Sequence, residues 1–321
     1  MNDQLREKVR VSIQRLIDWC PPEGYYLAFS GGKDSCVVKR LMEMACVPFD
    51  AHYHNTSVDP PELIRFIREQ HPDVKIEFPV DKDGKRITMW TLIEKKMFPP
   101  TRLIRYCCEF LKESAGDGRM TVTGVRWAES TNRAKSQGIV NVWKDHETKE
   151  KTDENEAFIT NKQGGTVLVN DNAESRQLLE GCYKRAKTLL NPIIDWTDDD
   201  VWEFIEEERV PYCGLYDEGW TRIGCIGCPM AGNKGREREF ARWPKYKYLY
   251  LRAFARALER RKERNRPDDR WLDATPVDLF NWWMEYPVIV GQMSFDDVIE
   301  DDPEDDTDSD SYAAYGGWHD A

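Results

Sequence analysis

The chain has 321 residues, 40% of them hydrophobic and 12% aromatic, a globular composition with room for one large domain or a core domain with appendages. The formal charge of −12 misrepresents the body: Gly291 to Ala321 holds eleven acidic residues and no Lys or Arg, and without them 47 acidic face 46 basic residues. Met1 to Arg15 is charged throughout and no run approaches the roughly 18 to 20 apolar residues of a spanning helix, so no secretory signal or membrane contact is expected and the chain reads as cytoplasmic.

Leu5, Val9, Ile13, Leu16 and Ile17 recur at helical spacing over Asp3 to Trp19. Tyr25 to Phe29 is a short buried strand that stops at Ser30-Gly-Gly-Lys-Asp-Ser35, and a helix follows from Asp34 to Met44. Phe49 to His54 reads as the next strand, Pro60 to Gln70 as a helix with Pro at its start, and Val74 to Val80 as a third strand. Ile87 to Met97 and Cys107 to Ser114 are helical, Met120 to Arg126 is a fourth strand, and Thr197 to Glu208 is a helix capped by Thr197 or Asp198. This alternation predicts an α/β fold with a doubly wound, mostly parallel sheet over residues 1–230. A polar insertion at about 135–185 contains Val140 to Trp143 and Gly165 to Asn170 as strands of a hairpin. Residues 231–290 form a basic, helical extension, and 291–321 an acidic tail expected to be disordered.

The glycine turn raises a chemical question. A strand that ends in a Gly-rich turn opening a helix presents several backbone N–H groups at the positive end of that helix. Gly31 and Gly32 let the main chain approach a phosphate, Lys33 adds a mobile cation, Ser30 and Ser35 can donate hydrogen bonds, and Asp34 can cap the helix. The Walker spacing is absent. A plain strand-to-helix turn accounts for one glycine and Asp34, but not for Lys33 and two serines around a second glycine.

Ser30 to Ser35 resembles the pyrophosphate-binding PP-loop of the adenine nucleotide alpha hydrolases, and three further blocks resemble the PAPS (sulfonucleotide) reductase family within them. His54 to Ile67 is similar to the block after the second strand, with Asn55-Thr56 where Asp-Thr is usual. Thr123 to Arg133 matches a Gly-x-Arg-x-x-Glu-Ser-x-x-Arg pattern at Gly124, Arg126, Glu129, Ser130 and Arg133. Asn191 to Pro229 follows the family's series ending in Gly-Cys-x-x-Cys. The resemblance covers about residues 20–230 and implies a Rossmann-like, adenine nucleotide alpha hydrolase-like fold. It also implies that Ser30, Gly31, Gly32, Lys33, Asp34 and Ser35 cradle the phosphates of ATP, APS or PAPS with Mg²⁺. Asn55, Thr56 and Gly124 would then lie near the nucleotide, Arg126 and Arg133 at its phosphate or sulfate end, and Lys33 and Arg126 would be the catalytic cations.

Nine cysteines without an export signal argue against a disulfide framework. Cys107-Cys108 and Cys225-x-x-Cys228 suit a metal site. Adjacent ligands fit a cluster with one iron per thiolate better than one zinc ion, zinc ranks next, and buried inert thiols last. The same set resembles the ligands of the [4Fe–4S] reductases that act on APS, with Arg105 and Lys112 flanking the first pair. Cys20, Cys36 and Cys46 read as packing with no His partner nearby, and Cys182 and Cys213 stay open. The nucleophilic cysteine that the reductases carry near their C-terminus is absent, since no cysteine follows Cys228. Residues 233–266 hold thirteen Lys or Arg against four Glu, interleaved with Phe240, Trp243, Tyr246, Tyr248, Tyr250 and Phe254. That pattern suits a nucleic-acid strand, and equally an amphipathic helix whose aromatics pack inward. Three functions follow. One is an ATP-consuming PP-loop enzyme serving sulfur transfer, such as DNA phosphorothioation or a related defence system. Another is an APS/PAPS reductase using Cys182, Cys213 or a partner's cysteine. The third is a nucleotide-binding subunit without turnover, with sulfur-donor or complex partner proteins.

Overall fold

The computed structural model describes residues 1–113, 116, 118–143, 158–160, 166–168, 187–264 and 271–285. The acidic tail, Cys182 and most of the inserted segment lie outside the described residues. The chain divides into two compact units, 1–89 with 105–228, and 90–104 with 229–321. No helix among the described residues is long and apolar enough to cross a membrane.

The first unit carries one sheet. Its strands are β1 (Tyr25–Ala28), β2 (Phe49–His54), β3 (Lys75–Glu77), β4 (Thr121–Val122), β5 (Val140–Trp143), β6 (Phe158–Thr160), β7 (Thr166–Leu168) and β8 (Lys187–Leu190), in the spatial order β3-β2-β1-β4-β8-β5-β7-β6. The first five run parallel. Its helices are α1 (Asp3–Asp18), α2 (Lys33–Met44), α3 (Pro61–Gln70), the short α5 (Tyr106–Cys108), α6 (Thr131–Ser136) and α7 (Asp198–Glu208), while α4 (Met89–Lys96) belongs, apart from Met89, to the second unit. The fold is the expected doubly wound, mostly parallel α/β sheet. Tyr25, Tyr26 and Leu27 are all buried, as a central parallel strand requires.

The inserted strands extend this sheet through antiparallel pairs, β5 with β8 and β7, and β7 with β6. Sequence patterning locates β5 and β7 but misses β8. Lys187–Leu190 is only four residues long, and it acquires its partners from strands far away in sequence, β4 on one side and β5 on the other. Chain order reverses at β1, with β2 on one side and β4 on the other, so the crevice beyond the carboxyl ends of β1 and β4 is the place where such folds bind ligands.

Thr197 is the N-cap of α7. Its hydroxyl accepts from the Asp200 amide at 3.1 Å while Asp200 accepts from the Thr197 amide at 2.7 Å. Asp198 is thereby left outside the cap.

In the second unit α8 (Gly232–Arg242), α9 (Pro244–Arg264) and α10 (Pro276–Trp283) pack around Phe240, Tyr250, Phe254, Phe280 and Trp283. Arg236, 1% exposed, donates to the Trp283 carbonyl at 2.7 Å. Of the six aromatics interleaved with the basic residues, Phe240, Trp243, Tyr250 and Phe254 are buried core; only Tyr246 and Tyr248 reach the surface, half-buried. The charge is amphipathic patterning around an aromatic core, and base stacking along the whole segment is excluded for those four rings.

On one face of the sheet Asp50 receives two hydrogen bonds from Arg119, at 2.9 and 2.6 Å, and pairs with His52, whose other ring nitrogen meets Glu77 at 2.7 Å. The Arg119 guanidinium holds the Asp50 carboxyl well below the usual carboxylate range. A carboxylate with a depressed folded pKa stabilises the fold above its unfolded value of about 3.9, and loses that contribution as pH falls. Asp50→Asn should therefore lower the melting temperature by a few degrees at pH 7, and the gap to wild type should narrow progressively as pH falls below about 4. Melting curves across that range check it; a gap independent of pH would remove the linkage.

Candidate functional site

Phe29 to Gly32 turn from β1 into α2. Gly31 sits at φ +72°, and a Cβ there would come within 2.7 Å of Leu63 Cδ1 and 2.9 Å of Ile67 Cδ1 on α3. Only glycine fits both the left-handed backbone and that close approach. Gly32 occupies the N-cap position without any side-chain cap bond, so Asp34 does not cap the helix; it stands in the first turn. The Lys33 amide instead donates to Tyr216 Oη at 3.0 Å. Tyr216 is held by Trp202, ring centroids 5.3 Å apart, and burial pushes its phenol up. Ser30 Oγ lies 3.2 Å from Ser35 Oγ, and Ser35 Oγ donates to the Gly32 carbonyl at 2.8 Å. The loop amides and hydroxyls thus cluster at the positive end of α2.

A charge network closes one side of this turn. Lys33 Nζ, on a side chain 9% exposed, lies 3.1 Å from Asp198 and 3.5 Å from Asp34. Arg126 is 2% exposed, and all three of its nitrogens are engaged: Nε with Asp34 at 2.7 Å, Nη2 with Asp198 at 2.7 Å, and Nη1 with the Trp196 carbonyl at 3.2 Å. Burial pushes Asp198 up, but the Arg126 and Lys33 hydrogen bonds outweigh it and hold the carboxyl below its ordinary value. Gly124 lets the chain after β4 pass α2: a Cβ there would lie 3.0 Å from the Asp34 carbonyl carbon.

Arg133, on α6, pairs with Glu129. Burial lowers its pKa first, then the charge of Arg222, opposed by Asp34, with Arg126 and Arg105 adding to the depression. The charges of Arg222, Arg126 and Arg105 thus all reach Arg133. Tyr216, Asp198, Arg222 and Asp59 were missed in the sequence, since each lies in a block quoted for other residues and declares its role only by distance.

The loop after β2 joins the glycine turn's sheet to the cysteines. Asn55 is 4% exposed and its Oδ1 accepts from the Ser57 amide at 2.8 Å. Ser57 takes the left-handed backbone (φ +68°), held by a bond from the Met89 amide at 2.9 Å. Thr56 Oγ1 lies 3.5 Å from Cys225 Sγ, and the Ile226 amide donates to the Val58 carbonyl at 2.7 Å. The Cys107 thiol is pushed far up by its hydrogen bond with Cys108, by burial, and by the charges of Cys108, Cys225 and Cys228. The four sulfurs thus sense one another across 121 residues of sequence. Lys112 is exposed as a residue, yet its ammonium lies beside Cys225, Asp59 and Cys108, whose negative charge pushes its pKa up. As the side chains stand, no group of three or more His, Cys, Asp or Glu among the described residues could hold a single metal ion. Four thiols within electrostatic reach of one another, beside a cation, do suit an anionic iron–sulfur group.

Cys36 has a His partner after all: its Sγ lies 3.8 Å from His71 Nε2. The two meet only in the fold, from α2 and the end of α3. Burial pushes the Cys36 thiol up and lowers His71 to about 4, so the pair stays neutral and the thiol unreactive. Cys213, 1% exposed, is also pushed up by burial.

Residues 24–231 match the phosphoadenosine phosphosulfate reductase domain. The chain belongs to that family. It is 28% identical over 294 residues to the uncharacterized protein MJ0973 of Methanocaldococcus jannaschii, covering 89% of this chain and 58% of that one. A second uncharacterized protein of that organism, MJ0066, is 27% identical over 71% of this chain and 42% of its own length, so the chain spans about half of these relatives. The adenosine 5'-phosphosulfate reductase of Allochromatium vinosum is 41% identical over 54 residues, 17% of this chain and 21% of that one. Among solved structures, the PAPS reductase of Candida auris in a phosphate complex aligns with 70% of this chain and 96% of its own at 15% identity and TM-score 0.39. The Candida glabrata FMN adenylyltransferase with FAD and pyrophosphate aligns with 70% and 64% at 16% identity and TM-score 0.40.

Gly31→Ala should destabilise this PAPS reductase-family domain by about 1–3 kcal/mol, through left-handed strain and overlap with Leu63 and Ile67. Urea unfolding measures it; an unchanged midpoint would mean the α2–α3 approach is looser than described.

Proposed function

We propose that the protein is an ATP-consuming PP-loop enzyme that activates a substrate oxygen for replacement by sulfur. The observation that carries it is that the glycine turn at α2 and all four cysteines belong to one unit, where Thr56, in the loop after the strand paired with β1, lies 3.5 Å from Cys225. The backbone amides of Gly31 to Lys33 and the Lys33 ammonium, with Mg²⁺, would hold the phosphates of ATP while a substrate oxygen attacks the α-phosphorus. The α–β phosphate bond breaks and pyrophosphate leaves; a sulfide-level sulfur nucleophile then attacks the substrate atom that bears the adenylated oxygen, its bond to that oxygen breaks, and AMP departs carrying the oxygen. Arg126, spent on Asp34, Asp198 and Trp196, positions the loop, while Arg133 with Arg222 and Arg105 faces the substrate end.

Cys107, Cys108, Cys225 and Cys228 would hold a [4Fe–4S] cluster, whose irons each take one thiolate and so need no tetrahedral set with sulfurs about 3.8 Å apart, as zinc would. Bound there, the cluster supplies a site for sulfur or electron chemistry. The acceptor in this reading is a nucleic-acid strand, approached by exposed lysines of the 233–266 segment. The short matches to adenosine 5'-phosphosulfate reductases favour a second reading, sulfite formation from APS or PAPS, but the buried Cys213 supplies a poor nucleophile for it.

The deciding experiment incubates reconstituted protein with ATP, APS and PAPS and assays pyrophosphate and sulfite side by side. Pyrophosphate from ATP is expected; sulfite from APS or PAPS would replace the first reading by the second. Lys33→Ala should weaken ATP binding at least about tenfold, from loss of one charge-assisted contact of roughly 1.5–3 kcal/mol, read by calorimetry. Anaerobic protein should carry about four irons per chain, and zinc in their place would remove the cluster. Reversing Lys234, Lys245 and Lys247 together should weaken nucleic-acid binding and reduce the salt slope by about two to three. Arg260 and Arg261 are unsuitable for that test, since Arg260 Nε lies 3.3 Å from Glu94 and Arg261 donates to the Met97 carbonyl at 2.8 Å.

A further inference from the structure

Leu103 is 96% exposed, Ile104 58% and Met230 47%, three of the five exposed large apolar side chains among the described residues. They share one surface of the second unit. The loop at 101–104 is closed at its base, the Thr101 amide donating to the Ile104 carbonyl at 3.0 Å and the Ile104 amide to Thr101 Oγ1 at 3.1 Å, so Leu103 stands at the tip. Arg102 Nε donates to the Pro229 carbonyl at 3.1 Å, and its guanidinium lies 3.5 Å from the Cβ position of Gly232. Those contacts tie the tip to the turn carrying Met230 and to the start of α8. From there Lys234, Arg238 and Arg242 recur every four residues along one side of α8, and Lys245 and Lys247 follow in the first turn of α9; all five are exposed.

An apolar tip beside a row of cations calls for an occupant that combines apolar side chains with negative charge. The chain itself contains one. Asp296 to Ala321 carries eleven carboxylates and no Lys or Arg, with Val298, Ile299, Tyr312, Tyr315 and Trp318 among them. It belongs to the same chain unit, and residues 286–295, which join it to Glu285, can extend about 35 Å. Tethering keeps such a segment at high effective concentration around its own surface.

We propose that the acidic segment Asp296–Ala321 docks on this surface of its own chain. Its carboxylates meet the α8 and α9 cations, and its apolar side chains cover Leu103, Ile104 and Met230.

Hydrogen exchange on the full chain tests it. Wild type is compared with a full-length variant whose eleven tail carboxylates are Asn or Gln, at about 50 mM and about 1 M salt. Amides of 102–104 and 233–245 should exchange about fivefold or more slower in wild type at low salt, and the difference should vanish at high salt. Leu103→Ser with Ile104→Ser, which alters only exposed side chains, should release the same protection at 233–245 with the melting temperature unchanged. Equal exchange in wild type and tail variant at low salt overturns the proposal. Protection that grows with protein concentration overturns it too, by assigning the surface to a second copy.

Discussion

The buried guanidinium of Arg126 is the constraint on which the phosphate turn depends. It bridges Asp34, in the first turn of α2, to Asp198, at the start of α7, and the same Asp198 holds Lys33. An arginine 2% exposed is tolerable only with its charge met, and removing Asp34, the less exposed of its two carboxylate partners, would leave much of that buried charge uncompensated. The network therefore locks the helix terminus, and with it the row of loop amides, into a fixed aim. It also ties the two cations together: Lys33 shares Asp34 and Asp198 with Arg126, whose three nitrogens each already donate within the network.

The second constraint is the loop from Asn55 to Asp59. It is buried along its length, carries a non-glycine residue in the left-handed region, and is pinned by Asn55, Asp59 and the Met89 amide. Local strain of this kind persists only where surrounding bonds over-determine it. Here those bonds place Thr56 and Val58 against the Cys225–Cys228 turn, so the strand that borders the phosphate turn also sets the position of one cysteine pair. Lys112 adds a positive charge beside the sulfurs.

Burial sorts the remaining cysteines. Cys36 and Cys213 sit in apolar surroundings that favour the neutral thiol, and even the His71 imidazole beside Cys36 is itself desolvated and neutral. The two pairs have a cation beside them, Lys112 next to Cys225 and Cys108.

Much of this was written in the chain. The apolar runs at Tyr25 and Phe49, the helical spacing around them, and the glycines at 31 and 32 determined a parallel α/β sheet with a tight glycine turn opening α2, because strand burial and backbone freedom are local properties. The cysteine spacings 107/108 and 225/228 likewise singled out two pairs that the fold brings within electrostatic reach of one another. Tertiary structure alone decided which charged residues serve the site. Asp198 reads as a helix cap until Thr197 and Asp200 are seen to close the capping box between themselves. Tyr216 and His71 acquire their partners only across about 180 and 35 residues of chain. The aromatics of α8 and α9 likewise became core instead of stacking surface, because burial depends on what a helix packs against, and no periodicity within the helix names its neighbour.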